Sequence, residues 1–175
     1  DLDIQNIHDV GEIILTDMEI KMASINDLPG MEIEFDVVIE AEIEVSEVID
    51  KVLDAGLKKV TFSGGEPFVQ AEALYHIAKA LKEEGYNLWS YTGFKYEALQ
   101  RHHDPYVMKF LSLLDIVIDG RFMIRKKSMS ALFRGSSNQR IIDVPKSLEA
   151  GKPIESTVYV DTPEDDKDRD DDIFI

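Results

Sequence analysis

The sequence predicts an α/β fold built from parallel βαβ units, and three observations carry that expectation. Short apolar runs alternate with amphipathic helical patterns through the central block. Each apolar run stops at a glycine-bearing or polar turn. At 175 residues, the chain is also long enough for one domain with a sizeable core.

The elements follow in order. In the first fifty residues, "GEIILTDMEI" and "MEIEFDVVIEAEIEV" alternate acids with aliphatics, as half-exposed strands or a hairpin would, and "SINDLPG" (24–30) reads as a turn. "VSEVIDKVLDAG" (45–56) is an amphipathic helix with Ser46 as a candidate N-cap. "LKKVTFS" (57–63) is a buried strand. "QAEALYHIAKALKEEG" (70–85) is a helix, with Ala73, Leu74, Ile77, Ala78 and Leu81 on one face and Gly85 as its stop. "NLWSYTG" (87–93) is the next strand, followed by helical segments over 96–100 and 105–114. "DIVIDG" (115–120) is a third strand and "QRIIDV" (139–144) a fourth. Parallel sheets of this kind bind ligands beyond the carboxyl ends of their strands. "SGGEP", "YTG" and "DGRF" all fall there.

Composition narrows the function. The 44% apolar content is ordinary, and no apolar run is long enough to span a bilayer. The acidic start, without a basic n-region, argues against a secretory signal. There is no cysteine, which excludes a thiolate nucleophile, a disulfide and a cysteine-ligated zinc or iron–sulfur site. Charge is uneven. Residues 1–50 hold 15 acids and one base, residues 51–160 hold 12 acids and 16 bases, and residues 161–175 hold eight acids and two bases. The middle has the balance of a cytosolic domain. The acidic ends repel phosphates, so neither nucleic acid nor an anionic membrane is an expected partner. Residues 1–160 are thus expected to form one α/β domain with an atypical acidic first third, and 161–175 a solvated, disordered tail.

Each motif has two readings. The Gly64–Gly65 pair lets the backbone approach a ligand closely, and Glu66 can receive an ammonium. The same residues serve equally as a tight βα turn with a solvated acid. In "FRGSSNQR" (133–140), Arg134 suits a carboxylate and Ser136 and Asn138 suit ribose hydroxyls, or the stretch is a plain polar loop. Asp119 ends a strand, where an acid also serves as a turn former. His8, His76, His102 and His103 lack metal-ligand spacing, so no metal residue is expected. No phosphate loop, nucleophile elbow or zinc-protease motif occurs.

Taken together and in order, "VTFSGGEPFVQAEAL", "NLWSYTGFKYEAL", "LLDIVIDGRF" and "FRGSSNQRIIDVPKSL" resemble the activating proteins of anaerobic ribonucleotide reductase, a family of small radical S-adenosylmethionine enzymes. The resemblance runs from about Val45 to Leu148. It implies a partial parallel (β/α) barrel of about six strands, a cytoplasmic location and the reductase large subunit as partner. It also implies a [4Fe–4S] cluster that reduces S-adenosylmethionine, giving a radical that takes hydrogen from a reductase glycine. By position, Gly64, Gly65 and Glu66 look like the turn that receives the methionine amino group. Ser63, Thr92 and Asp119 would line the same rim, with Arg134, Ser136 and Asn138 as carboxylate and ribose contacts. Catalytic residues are not assigned.

The family's three cluster cysteines are missing. A gap-free count places their loop on Lys21 to Gly30, near Met22, Asn26 and Pro29, and none of these supplies a thiolate. The expectation is a family member inactive or altered in radical chemistry, with S-adenosylmethionine binding weakened at best. The alternatives are a non-catalytic protein-binding module, or a redesigned stable scaffold on the same fold.

Overall fold

The computed structural model describes residues 14–15, 18–23, 34–39 and 42–161. Among the described residues there are eight strands: β1 (Ile14–Leu15), β2 (Met18–Ala23), β3 (Glu34–Ile39), β4 (Ile43–Glu44), β5 (Lys59–Gly64), β6 (Asn87–Thr92), β7 (Ile116–Asp119) and β8 (Arg140–Asp143). Five helices accompany them: α1 (Val45–Ala55), α2 (Ala71–Glu83), α3 (Tyr96–Leu99), α4 (Pro105–Leu111) and α5 (Val144–Ala150). Six strands form one sheet in the order β3-β2-β5-β6-β7-β8, and β1 pairs with β4.

The α/β class holds, and the parallel part is the centre of the sheet. β5, β6 and β7 run parallel, each joined to the next through helices. The other pairings are antiparallel: β2 with β5, β2 with β3, and β7 with β8. The sheet is therefore mixed. β8 returns antiparallel because residues 120–139 contain no crossover helix, only a short 3-10 turn at Ile124–Lys126.

The acidic stretches near the start form β2 and β3, an antiparallel pair as the alternating pattern suggests. The predicted turn at 24–30 lies outside the described residues, as does the tail beyond Asp161. Lys21 and Met22 are not in a loop: they sit in β2, opposite Thr61 and Val60 of β5.

α1 forms because Val45, Val48, Ile49 and Val52 recur at helical spacing and are buried together. Its N-cap is Glu44, without a side-chain cap bond, so Ser46 lies inside the helix. The helix ends at Gly56, whose φ of 68° suits glycine and whose N–H donates to the Leu53 carbonyl. α2 buries Ala73, Leu74, Ile77, Ala78 and Leu81, the face read from the sequence. Asp104 caps α4 by accepting from the Tyr106 N–H at 2.8 Å, and Asp143 caps α5 by accepting from the Lys146 N–H at 3.1 Å.

One face of the sheet packs against the helices. Val60, Phe62, Leu88 and Val117 meet Val48, Leu74, Leu111 and Phe110 in one buried cluster. Alternation along each strand sends the neighbouring residues to the other face. There Trp89, Ile116, Ile118 and Ile141 form a smaller cluster. Phe133 and Tyr159 cover Trp89 edge-on at 5.2 and 4.8 Å, and the Lys59 ammonium lies 4.3 Å from its ring centre.

Candidate functional site

The strand ends of β5, β6 and β7 converge as the fold class requires. Gly64 closes β5 with φ of 93°, a conformation that needs glycine. Three residues later the chain enters a 3-10 turn, Pro67–Gln70, with Glu66 as its cap. Glu66 does more than cap. Its Oε1 accepts from the Phe68 N–H at 3.2 Å and from the Thr92 hydroxyl at 2.8 Å, and its Oε2 accepts from the Gly93 N–H at 2.7 Å. The carboxylate ties the turn after β5 to the tip of β6. A carboxylate has about four lone-pair sites, so this one has little acceptor capacity left. A Cβ at Gly93 would stand 3.3 Å from Oε2, so the carboxylate would have to shift by a few tenths of an ångström to admit one.

Thr92 and Asp119 are paired neighbours on β6 and β7. The Gly120 N–H donates to the Phe94 carbonyl at 2.9 Å, joining the two tips again. Asp119 is fully buried. Its Oδ2 accepts from the Tyr96 N–H at 2.7 Å, and Arg140 donates to both of its oxygens, through Nε at 2.9 Å and through a second, shorter contact. Arg140 turns its other edge to Glu97, with bonds of 3.1 and 2.9 Å to the two carboxylate oxygens. These bonds hold the Glu97 carboxyl at about 2, well below its ordinary range, and Asp119 first, then Glu97, pushes the Arg140 guanidinium upward. Two acids share one cation, and the arrangement places β8 against β7.

Ser63 and Gly65 flank Gly64 in the same turn, whereas Arg134, Ser136 and Asn138 lie in the loop between β7 and β8. Ser63 is in β5 opposite Glu19 of β2, and Gly65 is an exposed bend. Arg134 ion-pairs with Asp161 and donates to the carbonyls of Leu132 and Gln139, both at 3.3 Å. Ser136 is buried, accepting from the Met123 N–H at 3.2 Å. Asn138 donates to the Arg121 carbonyl at 2.8 Å, while its Oδ1 is buried without a partner among the described residues. Among those residues none of the three bonds to Glu66, Thr92 or Asp119. They brace the loop between β7 and β8.

Sequence reasoning missed Arg140, Glu97 and Gln139. Gln139 is the pin of the loop: its Nε2 donates to the Gly120 carbonyl at 3.0 Å and its Oε1 accepts from Gly135 and Ser136 N–H groups at 3.0 and 3.2 Å. The signal available was a lone cation, Arg140, opening an apolar strand next to one that ends in an acid. His76 packs against Tyr75 and Tyr106, and its pKa is lowered chiefly by burial. Among the described residues no group of three or more His, Asp or Glu side chains could hold a metal.

Comparison with known proteins places the chain. Residues 32–142 match the family model described as a 4Fe-4S single cluster domain. The anaerobic ribonucleoside-triphosphate reductase-activating protein of Haemophilus influenzae is 31% identical over 113 residues, 61% of this chain and 67% of that protein. The protein of the same name from Pasteurella multocida is 32% identical over 118 residues, with the same coverage. That of Escherichia coli K12 is 27% identical over 99 residues, 53% of this chain and 62% of that protein. No solved structure matches. An iron–sulfur cluster is held by cysteine thiolates, and this chain has none, so its residues do not fit the group that the family model is named for.

Proposed function

We propose, on the premise that this chain belongs to the family of anaerobic ribonucleoside-triphosphate reductase-activating proteins, that it docks on an anaerobic reductase without generating a radical itself. One observation carries this reading: a strand-end rim built from Gly64, Glu66, Thr92 and Asp119 stands in a chain of 175 residues that contains no thiol. The rim carries the motifs that resemble the family's, while the thiolates a cluster would need are missing.

The partner in this reading is the reductase large subunit, and the mixed sheet is one side of the family's partial barrel. S-adenosylmethionine is at most a weak ligand. Its amino group would have to share Glu66 with three donors already in place, and Arg134, the proposed carboxylate contact, is engaged by Asp161.

The test is to mix the purified chain anaerobically with an anaerobic ribonucleotide reductase, reductant and S-adenosylmethionine. The reading predicts co-purification of the two proteins with no glycyl radical by electron paramagnetic resonance. A radical signal dependent on this chain overturns the non-catalytic part, and failure to co-purify overturns the docking part.

A further inference from the structure

The charge of this molecule is polarised beyond what the rim uses. In a chain of net charge −16, residues 120–142 hold six cations and no acid. Arg134 and Arg140 are taken by Asp161, Asp119 and Glu97. Arg121, Arg125, Lys126 and Lys127 have no ion-pair partner among the described residues, and all four are exposed. Apolar side chains stand beside them in the open: Phe122 is 53% exposed, Ile124 73% and Met129 89%. A surface that combines cations with uncovered apolar groups fits a segment that is acidic and then apolar.

The chain has such a segment, and the described residue just before it stands against this loop. Residues 162–175 read "TPEDDKDRDDDIFI", seven acids and two bases followed by Ile173, Phe174 and Ile175. The residue just before them, Asp161, is held by Arg134 and accepts from the Leu132 N–H at 3.0 Å. Arg134 lies two positions from Ser136, which bridges to Lys127, and the Ser137 N–H donates to the Lys126 carbonyl at 2.8 Å. The segment thus begins at the base of the hairpin-like loop that carries the cations. Fourteen residues reach roughly 45 Å when extended, far more than this short span needs.

We propose that residues 162–175 dock in cis on the 121–133 loop, the acids facing Arg121, Arg125, Lys126 and Lys127 and the apolar Ile173, Phe174 and Ile175 facing Phe122, Ile124 and Met129. The loop follows Gly120 directly, so a docked segment stands beside the rim and competes with any acidic partner for that face. This inference stands on the loop's own charge and exposure, independently of the proposed function.

Zero-length carbodiimide crosslinking of the full chain tests it, with peptides identified by mass. The expected result is links from Lys126 and Lys127 to acids within 164–172 in the monomer band, lost at high salt and in a K126E/K127E variant. Links spread equally to Lys51 or Lys79 overturn the proposal, as do links found only in a dimer band, which would assign the surface to a second copy. A second readout avoids any change to the folded part: neutralising the segment as D170N/D171N/D172N is expected to shift the Met123 and Met129 methyl resonances. Unmoved resonances overturn the docking.

Discussion

At the residue scale, the most consequential side chain is Arg140, which holds the buried Asp119 and the half-exposed Glu97 together. Replacing it as R140M leaves Asp119 buried without its cation, and breaking a buried pair in this way costs about 3–5 kcal/mol. Chemical denaturation is expected to show that loss, and a double variant R140M/D119L is expected to recover much of it. Glu97 supplies a pH prediction. Its folded-state pKa of about 2 is depressed from an ordinary 4.5 by the hydrogen bonds from Arg140. Its stabilising contribution is complete above pH 4.5 and is lost as pH falls from there through about 2. The amount is modest because the side chain is 41% exposed. Carbon-detected titration of the Glu97 carboxyl is expected to place its midpoint near 2 in the native chain and back in the ordinary carboxylate range in R140M. At this scale the sequence identified Glu66 and Asp119, since strand ends are where a parallel sheet presents polar groups. It did not reveal their partners. Glu66 finds Thr92 and Gly93 26 and 27 positions away, and Arg140 reaches Glu97 across 43, separations that no local pattern encodes.

At the element scale, the loop between β7 and β8 is held largely by Gln139. The Q139A variant strips partners from the Gly120 carbonyl and from the N–H groups of Gly135 and Ser136. Each buried group left unpaired costs about 1–3 kcal/mol. The expected outcome is a marked rise in amide hydrogen exchange at Gly135 and Ser136, with the amides of α2 unchanged. The turn after β5 gives a ligand prediction. With Glu66 already accepting three bonds, titration calorimetry with S-adenosylmethionine is expected to show weak or absent heat. Micromolar affinity would contradict that picture of the turn. The helices α1 and α2 were legible because one apolar stripe at helical spacing meets one sheet face. The direction of β8 was not. A four-residue strand with two central isoleucines fits a parallel or an antiparallel pairing equally well, and the choice was made by a 20-residue connection without a helix.

At the scale of the whole molecule, one helix-covered core supports the sheet. Phe110 lies fully buried at its centre, with ring centroids 5.4 Å from Phe62 and 5.0 Å from Phe68. The F110A variant is expected to lose about 3–5 kcal/mol, read as a lower denaturation midpoint. The α/β class could be read from composition and periodicity because burial on this scale requires them to agree. Arg134 was harder to assign, because its partner Asp161 begins a stretch whose charge reads as solvated. The central claim joins the scales: a chain of this family has a polar strand-end rim and no thiolate to hold a cluster. Anaerobic reconstitution with iron and sulfide tests it most directly, followed by metal analysis and absorption spectroscopy. The account predicts no bound iron above background and no broad band near about 400 nm, the expected mark of a cysteine-held cluster. A chain that retained four irons with that band would contradict it.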